Sequence, residues 1–341
     1  MKTTVLTKQF LSVLALCVLL LTIFFLVETP ATEHLSSDET LTAGEVSTQI
    51  PIALRSAFPK TDWTRTDESV SKIISGGPGK DGIPAIDEPV FVPVSDFQRS
   101  DGIRAMVIEG GSEIKVYPYN ILVWHEIVND KIGGTPVSVT FCPLCGSAVV
   151  FIRSYTSGEI TLGVSGWLIE SNMVMYDRES ETLWQQSTGR ALAGAHLGGE
   201  LELYPMQVLT MGEVKKNYPN ALVLSESTGA IRDYARNPYA GYEEQNGYIF
   251  SPSSEDGRYP SKTIMVAFRA GGNSYAIPWL SIADGESVID AKNIGKLLLR
   301  KENGELIIQN NSGEILPFYF EMWFSWIVQH KDSGTVIDPT K

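Results

Sequence analysis

Two cysteines stand three positions apart in Cys142-Pro143-Leu144-Cys145-Gly146. On a tight turn, this spacing lets both sulfurs grip one metal ion. Proline stiffens the turn, and the glycine leaves backbone N–H groups free to hydrogen-bond the sulfurs. A complete knuckle site needs further ligands. The nearest candidates are His125 and, as a fourth or supporting ligand, Glu126 or Asp130, all in Trp124-His125-Glu126-Ile127-Val128-Asn129-Asp130. Such a set suits copper or zinc, and Met173 or Met175 would serve soft Cu(I). The same pair reads as thiol redox chemistry, with Cys142 the attacking thiol. A local disulfide or two buried structural thiols is the third reading.

A second group combines acid, base and aromatic side chains. Asp177, Arg178, Glu181 and Trp184 lie close in sequence, and Arg232, Asp233 and Tyr239 follow. Together they could line a polar pocket of a non-catalytic binding module. They could equally form the ion pairs and turns of a large β structure. No nucleophile elbow, Walker loop or dinucleotide fingerprint occurs, so no nucleotide cofactor is indicated. The glycine cluster from Gly76 to Gly82 lacks the Lys-Ser/Thr ending of a phosphate loop and reads as a turn.

The chain carrying these residues has 341 residues, 43% of them hydrophobic, and a net charge of -13. That is ample for a packed core, and it argues against nucleic acid as a partner. An uncharged run from Gln9 to Val27 follows Lys2 and Lys8, long enough to reach roughly 27 Å as a helix. It reads as an uncleaved membrane anchor, with the bulk of the chain outside the cytoplasm, in the cell envelope; cleavage would make the protein secreted. Cys17 lies in this run and reads as a lipid-facing residue. The organisation expected is an anchor or signal segment over 1–28, a tether and lead-in over 29–75, and an extracytoplasmic domain over 76–341, with sub-halves at 90–250 and 251–341.

The fold expected is α+β and β-rich, built of short antiparallel strands and hairpins with a few helices. Ala105–Ile108 and Ile114–Tyr117 read as a hairpin through Gly110-Gly111. Ile121–Val128 reads as a short helix or a strand. Val137–Phe141 reads as a strand running into Cys142. Ala148–Ile152 and Ile160–Val164 read as a hairpin around Thr156-Ser157-Gly158. The better helix candidates are Met211–Tyr218 and Met322–His330. Met106–Pro118 resembles Met265–Pro278, which suggests a degenerate internal duplication, with Met211–Leu224 and Met322–Ile337 as matching pieces. On this reading the first copy is the active half.

A series of motifs also resembles a known family. The motifs are Asp81-Gly82-Ile83-Pro84-Ala85-Ile86, the His125 and Cys142 segments, Gly163-Val164-Ser165-Gly166, Met175-Tyr176-Asp177-Arg178 with Ser180-Glu181-Thr182-Leu183-Trp184, and Arg232-Asp233-Tyr234 with Pro238-Tyr239. In this order they resemble the prokaryotic domain of unknown function 3179, from about Asp81 to Ile337. The resemblance implies a secreted or membrane-anchored protein and carries no reaction. Lys115-Val116-Tyr117-Pro118 stands where that family usually has Arg-Ala-Tyr-Pro, and Gly212 and Val214 stand where it often has tryptophans. Its unknown partner would be a small molecule or a protein.

Overall fold

The computed structural model describes residues 50–340. The run from Gln9 to Val27, Cys17 and the segment 29–49 lie outside the described residues. No helix among the described residues is long and apolar enough to cross a membrane.

Two hairpins set the pattern. Arg104–Gly110 pairs antiparallel with Glu113–Pro118, and Ile264–Ala270 with Asn273–Pro278. The second closes through Gly271 and Gly272, with φ of 56° and 75°. This left-handed pair matches the right-handed strand twist, and glycine adopts it without steric cost. In each hairpin the first strand takes an antiparallel neighbour, Gln207–Thr210 or Phe318–Met322, that runs directly into a helix. Beyond each helix a short strand returns to lie parallel on the second strand, Leu222–Leu224 on Glu113–Pro118 and Gly334–Val336 on Asn273–Pro278. The helix starts are anchored alike. Met211 and Gly212 donate to the carbonyls of Ile103 and Asp101, and Trp323 and Phe324 to those of Thr263 and Ser261. The duplication inferred from Met106–Pro118 and Met265–Pro278 is thus a repeat of whole topology, strand order included.

The copies differ in burial. The helix Met211–Asn217 carries a capping box between Thr210 and Glu213 and buries only Met211 and Val214. The helix Trp323–Gln329 buries Trp323, Phe324, Ser325, Trp326 and Ile327. It is sunk in the main core, which also contains Cys142 and Cys145.

The cysteine motif sits on an insertion within the first copy. Ile127–Ile132, Thr135–Cys142 and Ser147–Ile152 form a meander. Its last strand pairs with Phe318–Met322 of the second copy, Ala148 against Phe320. A seven-stranded sheet results, joining insertion and second copy. The cysteines lie in the first copy, and the strand and helix beside them belong to the second.

Further along, Leu162–Ile169, Asn172–Asp177, Leu183–Gln185 and Ala191–Ala193 form a five-stranded sheet edged by Ile74–Ser75. The hairpin expected between 148–152 and 160–164 does not form, because the two strands belong to different sheets. A small ladder, Ser154–Tyr155 with Gly158–Glu159, turns the chain between them. The lead-in from Ile50 is packed, with Leu54, Phe58, Val70 and Ile73 buried against Trp167 and Tyr176. Ile121–Val128 splits in two: the helix Tyr119–His125, Glu126 at φ 60°, then a strand from Ile127. The segment 225–263 has neither helix nor strand. It is tied down by Tyr242 Oη on the Leu144 carbonyl at 3.1 Å and by Trp323 Nε1 on the Asp256 carbonyl at 2.8 Å.

Gly166 marks a bulge between Val164 and Trp167 at φ 80°. A Cβ there would lie 2.0 Å from the Pro78 carbonyl oxygen. Gly166→Ala must move the Pro78–Gly79 backbone as well as accept a left-handed φ. It is expected to destabilise the domain by about 2–4 kcal/mol, measured by chemical unfolding.

Candidate functional site: a buried pair of thiols

The turn Cys142–Gly146 joins Thr135–Cys142 to Ser147–Ile152, with Cys142 paired to Ser147. The Cys145 N–H closes it on the Cys142 carbonyl at 3.2 Å, and Gly146 takes φ 56°. Both cysteines are buried and unbonded. Burial would raise the Cys142 pKa. The hydrogen bond from the Cys145 thiol and those from the backbone N–H groups of Cys145, Met173 and Leu144 outweigh it, so Cys142 is held below an ordinary thiol. Cys145 is pushed well above, by burial first and then by Cys142 and the nearby Glu321. The pair is asymmetric in direction: the surroundings favour the thiolate form of Cys142 and disfavour that of Cys145.

A strained turn faces the sulfurs. Glu170 and Ser171 join two strands with φ of 50° and 67°, although neither is Gly or Asn. Left-handed backbone costs such residues about 1–2 kcal/mol each. The turn aims the Ser171 carbonyl at Cys145 Sγ, 3.1 Å away, and toward Cys142 Sγ at 3.9 Å. The Cys145 proton thus has two acceptors, this carbonyl and the Cys142 sulfur. Glu170 is held from outside, where its carboxylate accepts from Ser253 N and Oγ, both at 2.8 Å.

Two buried carboxyls complete the site. Glu126 ends its helix in a left-handed conformation, and burial first and Cys142 second raise its pKa well above the usual range. Glu321, on the second copy's strand, is fully buried. Burial pushes its pKa up to about 8, and the neighbouring Cys142 adds to this; hydrogen bonds from Ser325 and Gln329 act the other way. Ser325 Oγ donates to its Oε1 at 2.5 Å and Gln329 Nε2 at 3.2 Å, while Oε2 has no partner. Ser325 also lies within hydrogen-bond reach of Cys145 and favours its thiolate, so one hydroxyl stands beside both the Cys145 sulfur and the Glu321 carboxyl. Beneath the turn, Gln186 accepts from Ser147 Oγ at 2.6 Å and Asn172 Nδ2 at 2.9 Å, and donates to Thr140 Oγ1 at 2.9 Å.

Cavities flank the turn on both sides. One of about 290 Å³ is mostly apolar and bordered by Leu144, Met173, Trp167 and Tyr239, with Glu126 its one acidic residue. The other, of about 430 Å³, is bordered by Pro143, Phe141, Tyr239 and Tyr242.

The expected ligand set is not assembled. Burial lowers the His125 pKa. Its Nδ1 lies 2.7 Å from the Pro84 carbonyl, an acceptor, so it carries the proton, and its Nε2 accepts from Tyr234 Oη at 2.7 Å. No lone pair is left for a metal. Asp130 is engaged by Lys115 Nζ at 3.0 Å and Tyr117 Oη at 2.7 Å. Among the described residues no three His, Cys, Asp or Glu side chains gather closely enough to hold a metal ion.

Nor does the second group form one pocket. Asp177 is buried and accepts from Ser180 and from Trp184 Nε1 at 3.0 Å. Arg178 pairs with Asp87 at 2.9 Å, and Glu181 with Lys80 at 2.6 Å. Arg232 lies over the Trp124 ring, and Asp233 accepts from the Ala235 N–H. Of that group only Tyr239 borders the cavities beside the thiols. Glu321, Ser325 and Ser171 were missed. A lone Glu in the apolar run Phe318-Tyr319-Phe320-Glu321-Met322-Trp323-Phe324 was a signal for the first. Nothing in the sequence pointed to the other two.

Fold and site define a β-rich α+β protein that encloses a pair of free thiols among buried acids. Residues 80–312 match the family described as protein of unknown function (DUF3179), and the chain belongs to that family. Neither a curated protein nor a solved structure matches it.

A carboxyl whose pKa rises on folding binds its proton more tightly in the folded state. Its contribution is therefore greatest at low pH and is lost as pH rises from the ordinary 4.5 toward 8. The unfolding free energy should fall across this window. Glu321→Gln should reduce the fall by up to one proton's worth of slope, read from denaturant unfolding at a series of pH values.

Proposed function

We propose that the protein is a thiol–disulfide oxidoreductase of the cell envelope, with Cys142 as attacking thiol and Cys145 as resolving thiol. The observation that carries this reading is the asymmetry of the pair. Hydrogen bonds to its sulfur favour the Cys142 thiolate despite burial, while the Cys145 thiol donates to the Ser171 carbonyl at 3.1 Å, with Ser325 and Glu321 nearby. The Cys142 thiolate attacks one sulfur of a substrate disulfide, forming a mixed disulfide and expelling the other sulfur as thiolate. Cys145 then passes its proton through Ser325 to ionised Glu321 and attacks Cys142. The Cys142–Cys145 disulfide forms, the second substrate sulfur leaves as thiolate, and the reduced substrate takes up its protons from Glu321 and from water. Glu321, with a pKa of about 8, exchanges a proton readily near neutral pH. The reactant enters through the cavity bordered by Leu144, Met173 and Tyr239. The apolar run Gln9–Val27 would hold the domain at the membrane, in a compartment where disulfides persist.

A second reading keeps the two sulfurs as ligands of a soft ion, Cu(I) before zinc, because N–H groups directed at Cys142 Sγ would also stabilise a bound thiolate. Copper or zinc at one per chain in the full protein purified without chelator, lost in Cys142→Ser, would favour it.

On the redox reading, Cys145→Ser should accumulate a mixed disulfide with a model disulfide such as oxidised glutathione. Cys142→Ser should accumulate none, and the parent should pass through to its own disulfide. Non-reducing mass analysis reads all three. Trapping by Cys142→Ser alone would reverse the roles, and trapping by neither would remove the reading.

A further inference from the structure

A third cavity, of about 430 Å³, lies at the far end of the buried helix, between the second copy's hairpin and the turn after Leu183–Gln185. Its lining is largely polar, and it plays no part in the thiol chemistry proposed above. Arg190 and Arg269 border it from opposite elements. The His330 ring closes its inner wall, 8% exposed, with Nε2 buried and unpartnered. An unpartnered buried ring nitrogen is a cost to the fold that a ligand contact would recover. Both guanidinium groups reach the ring electrostatically, since burial first and then Arg190 and Arg269 push its pKa down to about 4. Arg190 is weakly matched within the protein, with Asp67 at 4.0 Å. Arg269 is buried deeply enough for desolvation to lower its pKa; it donates to the Leu201 carbonyl at 3.1 Å and pairs with Glu200 on the cavity wall.

We propose that this cavity binds a small oxyanion, a molecule with a carboxylate or phosphate group, held between Arg190 and Arg269 with His330 as its third contact. Glu200 is the one acid on the cavity wall, Asp67 engages Arg190 only loosely at 4.0 Å, and the planar guanidinium donors match oxyanion geometry. The Ser274 hydroxyl on the same wall suits a further oxygen of the ligand, whereas the Ser187 and Thr188 hydroxyls already donate to Gln329 and Gln185. Glu200 is the built-in competitor, so its charge sets the affinity. The proposal stands apart from the thiol reading, because neither cysteine borders this cavity.

The test is calorimetric titration of the full chain with inorganic phosphate and with citrate, in parallel with two variants. Arg190 is exposed, so Arg190→Gln should fold normally and weaken binding about tenfold or more, the loss of one charge-assisted contact. Glu200→Gln should strengthen it, because the competing carboxylate is gone. Phosphate and citrate both binding in this pattern supports the shared oxyanion chemistry, and the tighter of the two identifies its source. No saturable heat from either anion up to about 10 mM, or binding indifferent to both variants, would overturn the proposal.

Discussion

Keeping an ionisable sulfur out of water is the constraint on which the rest of the structure turns. Burying a thiolate is costly unless donors replace the lost hydration. At Cys142 three backbone N–H groups and the Cys145 thiol supply them. Two of the N–H groups come from the turn itself, and the third comes from Met173 on a different sheet. The site therefore exists only when the two sheets are docked. The left-handed conformations of Gly146, Glu126, Glu170 and Ser171 surround the same sulfurs. Three of these four residues have side chains that resist this conformation, so packing must hold them there.

The duplicated topology explains how one copy serves the other. Both copies build a hairpin, a flanking strand and a helix with the same backbone anchors. Only the first hosts the cysteine meander, and only the second buries its helix deeply. Joining the meander to the second copy's strand through Ala148 and Phe320 brings Glu321 and Ser325 to the thiols. Neither copy alone holds the thiols together with these residues. The segment 225–263 covers them, with Tyr234 fixing His125 and Tyr242 fixing the Leu144 carbonyl.

Much of this was legible in the residues. The β-rich class, the hairpin at Ala105–Tyr117, the two helices and the repeat follow from alternation, glycine turns and self-similarity, which are local signals. Cys142 and Cys145 stood out by spacing, and Glu126 by adjacency. His125 misled, because closeness in sequence does not set the direction of a side chain at the end of a helix: its two nitrogens meet Pro84 and Tyr234 instead of the sulfurs. Asp177, Arg178, Glu181 and Trp184 looked like a pocket but are engaged in separate contacts within the fold. Glu321 and Ser171 lie far from the cysteines along the chain, and only sheet pairing brings them near.

The central claim is that Cys142 and Cys145 form a reversible dithiol couple. Its most direct test is a redox equilibration of the full chain in glutathione and dithiothreitol buffers, read by alkylation and mass. The account predicts that both thiols oxidise together to one internal disulfide, with a single reversible midpoint between about -270 and -120 mV, the span of dithiol oxidoreductases. Thiols that stay reduced across that span, or that oxidise separately and without return, would contradict it.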